Sequence, residues 1–562
     1  MVKFYPSSFN GQIYFESEHK RLSLRSSFMK SLFKYVKQEP TKVTLVVILQ
    51  LICSAFRVLN SLINVFILNS LIKLDFQAFF KYILLNILLF LVMTVFLISE
   101  QVLSVKTVQF LSLRLRQDII EHLENYSVSR FEKNDTGVYT SWLTNDMNLV
   151  EENGFTNLFS MVQIFGDSVF SLIALIKFNW TFLPLVAILT LFTLGLPQLV
   201  RKKVASSNFT TSKENEKVVN VINDCLQGFA TYNIFTAEQQ IEKRITDAVK
   251  KLIGAKVRQA KYSSYNGSIA GASNVISQVA IQAWTGFLIL EKQVTIGVIN
   301  SSTSLAFNVF YSLAVIAPIL TELQALNPIF SKYQLDEPVK AHAQAGSKIA
   351  DINITAKNLQ IAYHPGKPVF KKPLNFTIHD GQKIAVDGES GSGKSTLLKI
   401  LAGRLTDYTG DLQLDQTEIK NIDNNALRSN IVYIDQNAYL FNDTVRYNLE
   451  LGQHFTDEEI KSALEKADLW DFVSTLPRKL DTQVGEGGAS LSGGQKQRLA
   501  LARGLLRKRK LFLLDESTSS LDKTGAIKVE NDFLNQPKIT VVFVSHQLHE
   551  ENKDKFDQII TV

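Results

Sequence analysis

Within the first 320 positions lie six predominantly apolar runs, Val43–Ile72, Ile83–Val105, Phe155–Ile176, Phe182–Val200, Ile269–Leu290 and Ile296–Leu320. About 20 such residues match the hydrocarbon thickness of a bilayer. In lipid every backbone N–H and C=O must find its partner inside the segment, so runs of this kind are read as membrane-crossing helices. This constraint outranks composition. The chain has 562 residues, 46% of them hydrophobic and 20% charged, a mixture that one regime alone does not explain. It predicts a membrane domain and a soluble domain in one chain.

The placement of the cations orients the spans. Lys30, Lys34, Lys37 and Lys42 precede the first span, and Arg114, Arg116, Arg130 and Lys133 lie between the second and third. Between the fourth and fifth lie Arg201, Lys202, Lys203, Lys243, Arg244, Lys250, Lys251, Arg258 and Lys261. The alternate links are short and hold little beyond Lys73, Lys177 and Lys292. The positive-inside rule then puts both termini in the cytoplasm. The formal charge of +7 is accounted for by these flanks and anionic headgroups, which argues against a nucleic-acid partner. The simplest host is a bacterium, with the chain in its plasma membrane. Cys53 and Cys225 are far apart and give neither a disulfide framework nor a metal-site spacing. Glu16 and Glu18 precede any apolar run, unlike a cleavable signal peptide.

The two long cytoplasmic links carry helical apolar spacing, as at Leu113, Ile120 and Leu123, and read as membrane helices prolonged into the cytoplasm. Ser27–Val36 sets Phe28, Leu32, Phe33 and Val36 against Lys30, Lys34 and Lys37, the pattern of an amphipathic helix on the inner membrane surface. Residues 334–348, with Pro338 and Gly346, have linker composition. Beyond them, strand-like runs alternate with helical stretches. The organisation is therefore an N-terminal segment over 1–42, a transmembrane domain over 43–335, a linker over 336–350 and an α/β domain over 351–562. The fold class is a membrane all-α six-helix domain followed by an α/β P-loop NTPase domain.

Chemistry concentrates in the second domain. Gly388, Glu389, Ser390, Gly391, Ser392, Gly393, Lys394 and Ser395 fit the phosphate loop GxxxxGK[ST], set between the strand-like Lys383–Val386 and a helical run from Thr396. Glycines let backbone N–H groups converge on phosphates, and the helix N-terminus adds partial positive charge. Lys394 is placed to contact the β- and γ-phosphates of ATP, and Ser395 to offer its hydroxyl to Mg²⁺. A buried-strand run, Leu511–Leu514, ends in Asp515 and Glu516. At the strand tip beside such a loop, Asp515 serves as metal-binding carboxylate and Glu516 as general base for water. Ser492, Gly493, Gly494 and Gln495 open another helical stretch and present a hydroxyl and backbone donors at its N-terminus.

Those residues resemble the signature of the ABC ATPases, and further motifs follow in that family's order. Gln436 resembles its Q-loop glutamine, Ser519, Ser520, Leu521 and Asp522 its D-loop, His546 its switch histidine, and Tyr363 the aromatic that stacks on adenine. The resemblance implies that Gln436 reaches the metal and that Gln436, Glu516 and His546 act together at the γ-phosphate. It also implies that the signature touches ATP held by an opposite cassette, so that the chain pairs with a second half-transporter, identical or different. Six spans ahead of a cassette resemble exporter-type half-transporters. Arg114, Arg116, Gln117 and Asp118, followed by Thr136, Gly137 and Leu143–Asp146, resemble that type's first cytoplasmic coupling loop, and Gly485–Gly488 the cassette loop that meets it.

Two departures stand out. Ser517 replaces the usual proline after the catalytic glutamate, and the chain runs only sixteen residues past His546, short of the family's usual further strand and helices. On the first span Arg57, Asn60 and Asn64 share one face, with Asp167 at similar depth on the third. A charge at mid-bilayer needs a partner or a watery cavity. The face therefore either lines the substrate path, with Arg57 meeting Asp167 or an acidic cargo group, or serves packing alone. Gln278, Gln282, Asn300, Asn308 and Tyr311 add polar groups. The expectation is ATP-driven export of a peptide or amphipathic small molecule by alternating access. An importer on the same fold, or an ATP-gated channel or regulatory subunit, remains open.

Overall fold

The structure, a computed structural model, describes residues 31–562 except 133, 334–348, 350, 365–366, 423, 437, 520–522 and 545–548. Internal contacts divide the described residues into a membrane unit and a cassette unit, with residues 123–134 grouped with the cassette.

The membrane unit has six helical spans long and apolar enough to cross a bilayer. The first, Pro40–Ile72, opens on a proline, whose missing N–H costs nothing in the first helical turn. The second is one helix of 49 residues, Phe76–Glu124, and the fifth one of 52, Gln239–Leu290. At 1.5 Å per residue the fifth is about 78 Å long, more than twice the hydrocarbon thickness, so most of it extends outside the membrane. The third span, Asn157–Phe178, is led by short helices and a π-helical turn, Glu151–Thr156. The fourth breaks between Phe182–Gly195 and Gln198–Gln227, where Pro197 lacks the N–H that would continue the ladder. The sixth, Val298–Ala325, starts two residues later than the apolar run and carries Pro318 inside it.

Packing follows the chemistry of lipid. Leu84, Leu88, Leu91, Val95 and Ile98 of the second span recur every three or four residues and are each more than half exposed, an apolar stripe suited to hydrocarbon. Inside, Val58, Leu175, Phe182, Ile281, Leu305 and Phe310 join five spans in one buried cluster. Small hydroxyl residues let the helices approach: Ser61 meets Ser304 at 3.0 Å, Thr193 meets Ser277 at 3.0 Å and Thr285 meets Ser302 at 2.9 Å.

The amphipathic pattern near the N-terminus forms a helix over 31–38, with 27–30 outside the described residues. Its buried face differs from the expected one. Leu32 and Tyr35 are buried, while Phe33 is 46% exposed. The Tyr35 hydroxyl donates to Asp118 at 2.9 Å and its ring meets Phe155 edge-on, so protein packing sets the face. Arg116, from the same coupling-loop motif as Asp118, pairs with Glu151 at 2.9 Å.

The cassette has two sheets. An antiparallel sheet is built on Ile354–His364, Leu374–Ile378 and Tyr408–Leu414. The other is parallel, in the order Gln558–Thr561, Lys383–Asp387, Thr540–Val544, Leu511–Asp515, Ile431–Ile434. Thr540–Val544 and Leu511–Asp515 are buried at every position, which is why they read as unbroken apolar runs. Gln558–Thr561 corrects one expectation. The short stretch after the switch region does supply a further strand, parallel to Lys383–Asp387, preceded by the helical turn Glu550–Lys553. Too few apolar residues in Gln558–Thr561 alternate to mark it as a strand without its neighbour.

Candidate functional site

Lys383–Asp387 emerges from the core at Asp387, and the chain turns through the Gly-rich loop into the helix Lys394–Leu401. Gly393 has φ +105°, and a Cβ there would lie 2.7 Å from Val369 Cγ1 and 2.9 Å from the Phe370 ring. Conformation and space both demand glycine. Lys394 is buried, its ammonium donating to the carbonyls of Gly388 at 2.7 Å and Glu389 at 3.1 Å. The cation is thereby stored inside the loop. The Glu389 side chain faces outward to Lys371, Ser390 and Gly391 are exposed, and the buried Ser392 hydroxyl has no hydrogen-bond partner among the described residues. Tyr363 is 58% exposed, with its hydroxyl 3.2 Å from Thr396 Oγ1, so an open aromatic face adjoins the phosphate cradle.

The parallel sheet brings the remaining groups to the same edge. Ser395 Oγ donates to Asp515 Oδ1 at 2.9 Å, and the Tyr433 hydroxyl donates to Asp515 Oδ2 at 2.9 Å. Burial pushes the Asp515 carboxyl above the usual carboxylate range, opposed by these two hydrogen bonds. Burial likewise pushes the Tyr433 phenol far up, keeping it a donor. Glu516 takes φ +47°, a left-handed conformation rare for its type, fixed by its N–H on Val544 O at 3.0 Å. Gln436 donates its amide to the Glu516 carboxylate. Among the described residues no cluster of three His, Cys, Asp or Glu side chains could hold a metal by itself. The oxygens of Ser395 and Asp515 beside a phosphate loop fit Mg²⁺, which commonly takes one or two protein ligands and completes its shell with phosphates and water.

Ser492 caps the helix Gly493–Leu506, its hydroxyl accepting from Gln495 N while the Gln495 side chain accepts from Ser492 N. Ser492 and Gly493 are exposed. Two residues after Gln495, the buried Gln497 donates to Gln436 O at 3.3 Å, tying the signature helix to the segment that holds Glu516. Sequence reading missed Gln497 and Tyr433. Gln497 had a signal, since it follows the signature on the buried side of its helix. The Tyr433 contact depends on strand pairing and had none. His546 and Ser520–Asp522 lie outside the described residues. Ser517 is fully buried and its hydroxyl has no partner among the described residues, and next to it Thr518 reaches the buried Glu530, which also meets His549 at 3.0 Å. Within the same unit Ser127 and Val128, at the start of the turn Val128–Phe131, share a cleft with Arg404, Leu427 and Tyr433.

In the membrane unit Arg57 Nε stands 3.2 Å from Asp167 Oδ1, and the Gln163 amide, assigned with its oxygen toward the guanidinium because only donors face that position, accepts from both terminal nitrogens of Arg57 at 2.8 Å. Of the two expected partners for Arg57, the structure supplies the internal one. Asn60 and Asn64 are half-buried on the same helix and make no hydrogen bond among the described residues. Gln278 binds Asn274 and Asn308 reaches Ser171, whereas Gln282, Asn300 and Tyr311 are exposed.

Two family models match the chain. One, described as ABC transporter transmembrane region, covers residues 43–313, and one described as ABC transporter covers 371–519. An ATP-dependent lipid A-core flippase of Vibrio vulnificus is 29% identical over 80% of this chain and 78% of its own. A protein of the same name from Desulfotalea psychrophila is 26% identical, with 77% of each chain covered. A solved structure of a bacterial Atm1-family ABC exporter with ATP bound aligns with TM-score 0.76 at 20% identity, covering 94% of this chain and 93% of the other.

Proposed function

Because the chain belongs to the ABC transporter superfamily, with an exporter-type membrane domain ahead of its ATPase cassette, we propose that it is one half of a pump exporting a lipid-like amphiphile across the plasma membrane. The observation that carries the reading is the strand-tip constellation, with Ser395 on Asp515 and Gln436 on Glu516 beside the phosphate loop. The relatives' names favour an amphiphile with a lipid part over a peptide.

In this reading Tyr363 stacks on adenine, and the loop amides with Thr396 bind the phosphates. Lys394 exchanges the loop carbonyls for β- and γ-phosphate oxygens. Ser395, Asp515 and Gln436 would hold Mg²⁺, which would supply positive charge against the developing phosphate charge. Glu516 takes the proton of the attacking water, oriented by Gln436, while His546 stabilises the γ-phosphate. Ser492, Gly493, Gly494 and Gln495 close over ATP held by a second chain, so two chains form two sites. ATP closes the cassettes and hydrolysis reopens them. Both termini lie in the cytoplasm, a reading the cations flanking the spans support, and Arg57, Asn60, Asn64 and Asp167 line the cargo path, with the two asparagines as its available hydrogen-bonding groups.

The test is ATPase activity and uptake in sealed vesicles, wild type beside Glu516→Gln, across lipid-like amphiphiles and peptides. Uphill accumulation and stimulation by one amphiphile, both lost in the variant, are expected. Passive leak with undiminished flux in Glu516→Gln would mean a channel and sink the pump.

A further inference from the structure

Below the apolar part of the fourth span, between its continuation Gln198–Gln227 and the fifth helix Gln239–Leu290, lies a cavity of about 350 Å³. Lys202, Lys203 and Arg258 line it together with the hydroxyl residues Ser206, Thr210 and Tyr262, and no carboxylate does. Among the described residues none of the three cations is in an ion pair. Of the acids on these helices, Glu214 pairs with Lys217 at 2.6 Å and Asp224 with Arg244 at 2.7 Å, while Glu216, Glu242 and Asp247 do not line the cavity. Three uncompensated cations around hydroxyl donors make a site for a phosphate-type anion.

A second cavity, of about 310 Å³, adjoins it on the membrane side. Lys203 and Tyr262 wall both, and Leu199, Val200, Tyr265, Ser268 and Ile269 complete the second with largely apolar and aromatic surface. Lys202 and Lys203 follow Val200, the end of the apolar run, by two and three residues, about 3–5 Å along the helix axis. That is the depth of lipid headgroups in the leaflet the cations face. A polar anion pocket opening membrane-ward into an apolar one has the shape of an amphiphile.

From these two cavities we infer that the cytoplasmic mouth between the fourth and fifth helices is a binding site for one anionic phospholipid of the inner leaflet, selected over a zwitterionic one by its net charge. The headgroup phosphate sits among Lys202, Lys203 and Arg258, and the acyl chains lie along Leu199, Val200 and Ile269. The inference rests on the membrane orientation given above and on neither the cargo nor the ATP chemistry. The site is separate from the Arg57 face.

The test is native mass spectrometry of the full chain released from mixed micelles of phosphatidylglycerol and phosphatidylcholine. Wild type is expected to retain phosphatidylglycerol in preference, and Lys203→Ala with Arg258→Ala to weaken that retention about 25-fold, about fivefold for each cation. Lys243→Ala, which removes an exposed cation from the same fifth helix away from both cavities, is expected to leave it unchanged. Ile269→Ser is expected to weaken the lipid while leaving short-chain glycerol phosphate in place. Basal ATPase activity of each variant reports its fold. Equal retention in the double variant, or equal retention of phosphatidylcholine by wild type, would overturn the site. Full displacement of the lipid by inorganic phosphate would assign the pocket to a free anion and overturn the lipid.

Discussion

At Gly393 a methyl group has no place to go: φ is +105° and Val369 and Phe370 close the space. Gly393→Ala is expected to distort the phosphate loop at a cost of about 1–3 kcal/mol. ATP binding, followed with a fluorescent nucleotide, should fall to background while the chain still extracts as a folded protein. At the start of the strand that leads into this loop, Lys383 is 5% exposed and donates to the carbonyls of Gly381 at 2.9 Å, Gln536 at 2.8 Å and Ile539. Lys383→Met leaves buried acceptors without a donor and should destabilise the cassette by about 2–3 kcal/mol, read as a lowered cassette melting transition. Burial lowers the Lys383 pKa below the ordinary 10.5. Between the two values the unfolded chain holds more protons, so the wild-type cassette should gain stability from this site as pH rises through that alkaline window. Near neutrality Lys383 contributes no slope, and the pH dependence absent from Lys383→Met isolates it. The loop glycines were legible in the sequence because their chemistry is local. Lys383 was legible only as the first residue of a strand, since its three acceptors come from segments as far as residue 539.

Among the membrane helices, the element that invites perturbation is the contact of the first span with the third. Gly166 lets them approach: a Cβ there would lie 3.0 Å from Leu51 Cδ2 and 3.1 Å from Ser54 Oγ. One residue on, Asp167 meets Arg57. Arg57→Leu leaves Asp167 uncompensated and should cost about 2–3 kcal/mol, whereas Arg57→Leu with Asp167→Leu should recover most of it. Melting of the purified chain in detergent checks the cycle; equal losses in single and double variants would show that the pair does not stabilise the contact. Cargo-stimulated ATPase in the stable double variant separates packing from transport, and full stimulation there would remove the pair from the cargo path. The spans themselves were legible by length and hydropathy. The partner of Arg57 could be narrowed by depth counting, but Gln163 entered only when the helices were set side by side.

Over the whole molecule, the proposed pairing makes a prediction that no single-chain chemistry shares. The phosphate loop of one chain and the signature of the other form each site, so Lys394→Ala and Ser492→Arg should each be inactive alone. Mixed and reassembled, they leave one site with both parts intact, and activity should return. A chain carrying both changes, mixed with wild type, leaves no intact site in the mixed pair and should depress activity. Equal outcomes from the two mixtures would rule out the shared site.

The sequence by itself determined six runs long and apolar enough to cross a bilayer, an α/β cassette after them, and the motifs over 388–395, 492–495 and 515–516 on which the proposed ATP chemistry rests. Each is carried by a run, a period or a short spacing, and such local signals survive without tertiary information. Tertiary structure decided the buried face of the helix over 31–38, the edge strand Gln558–Thr561, the tyrosine on Asp515 and the paired cavities beside Lys203. Those features join residues tens to hundreds of positions apart, and only packing brings such residues within hydrogen-bonding or van der Waals reach.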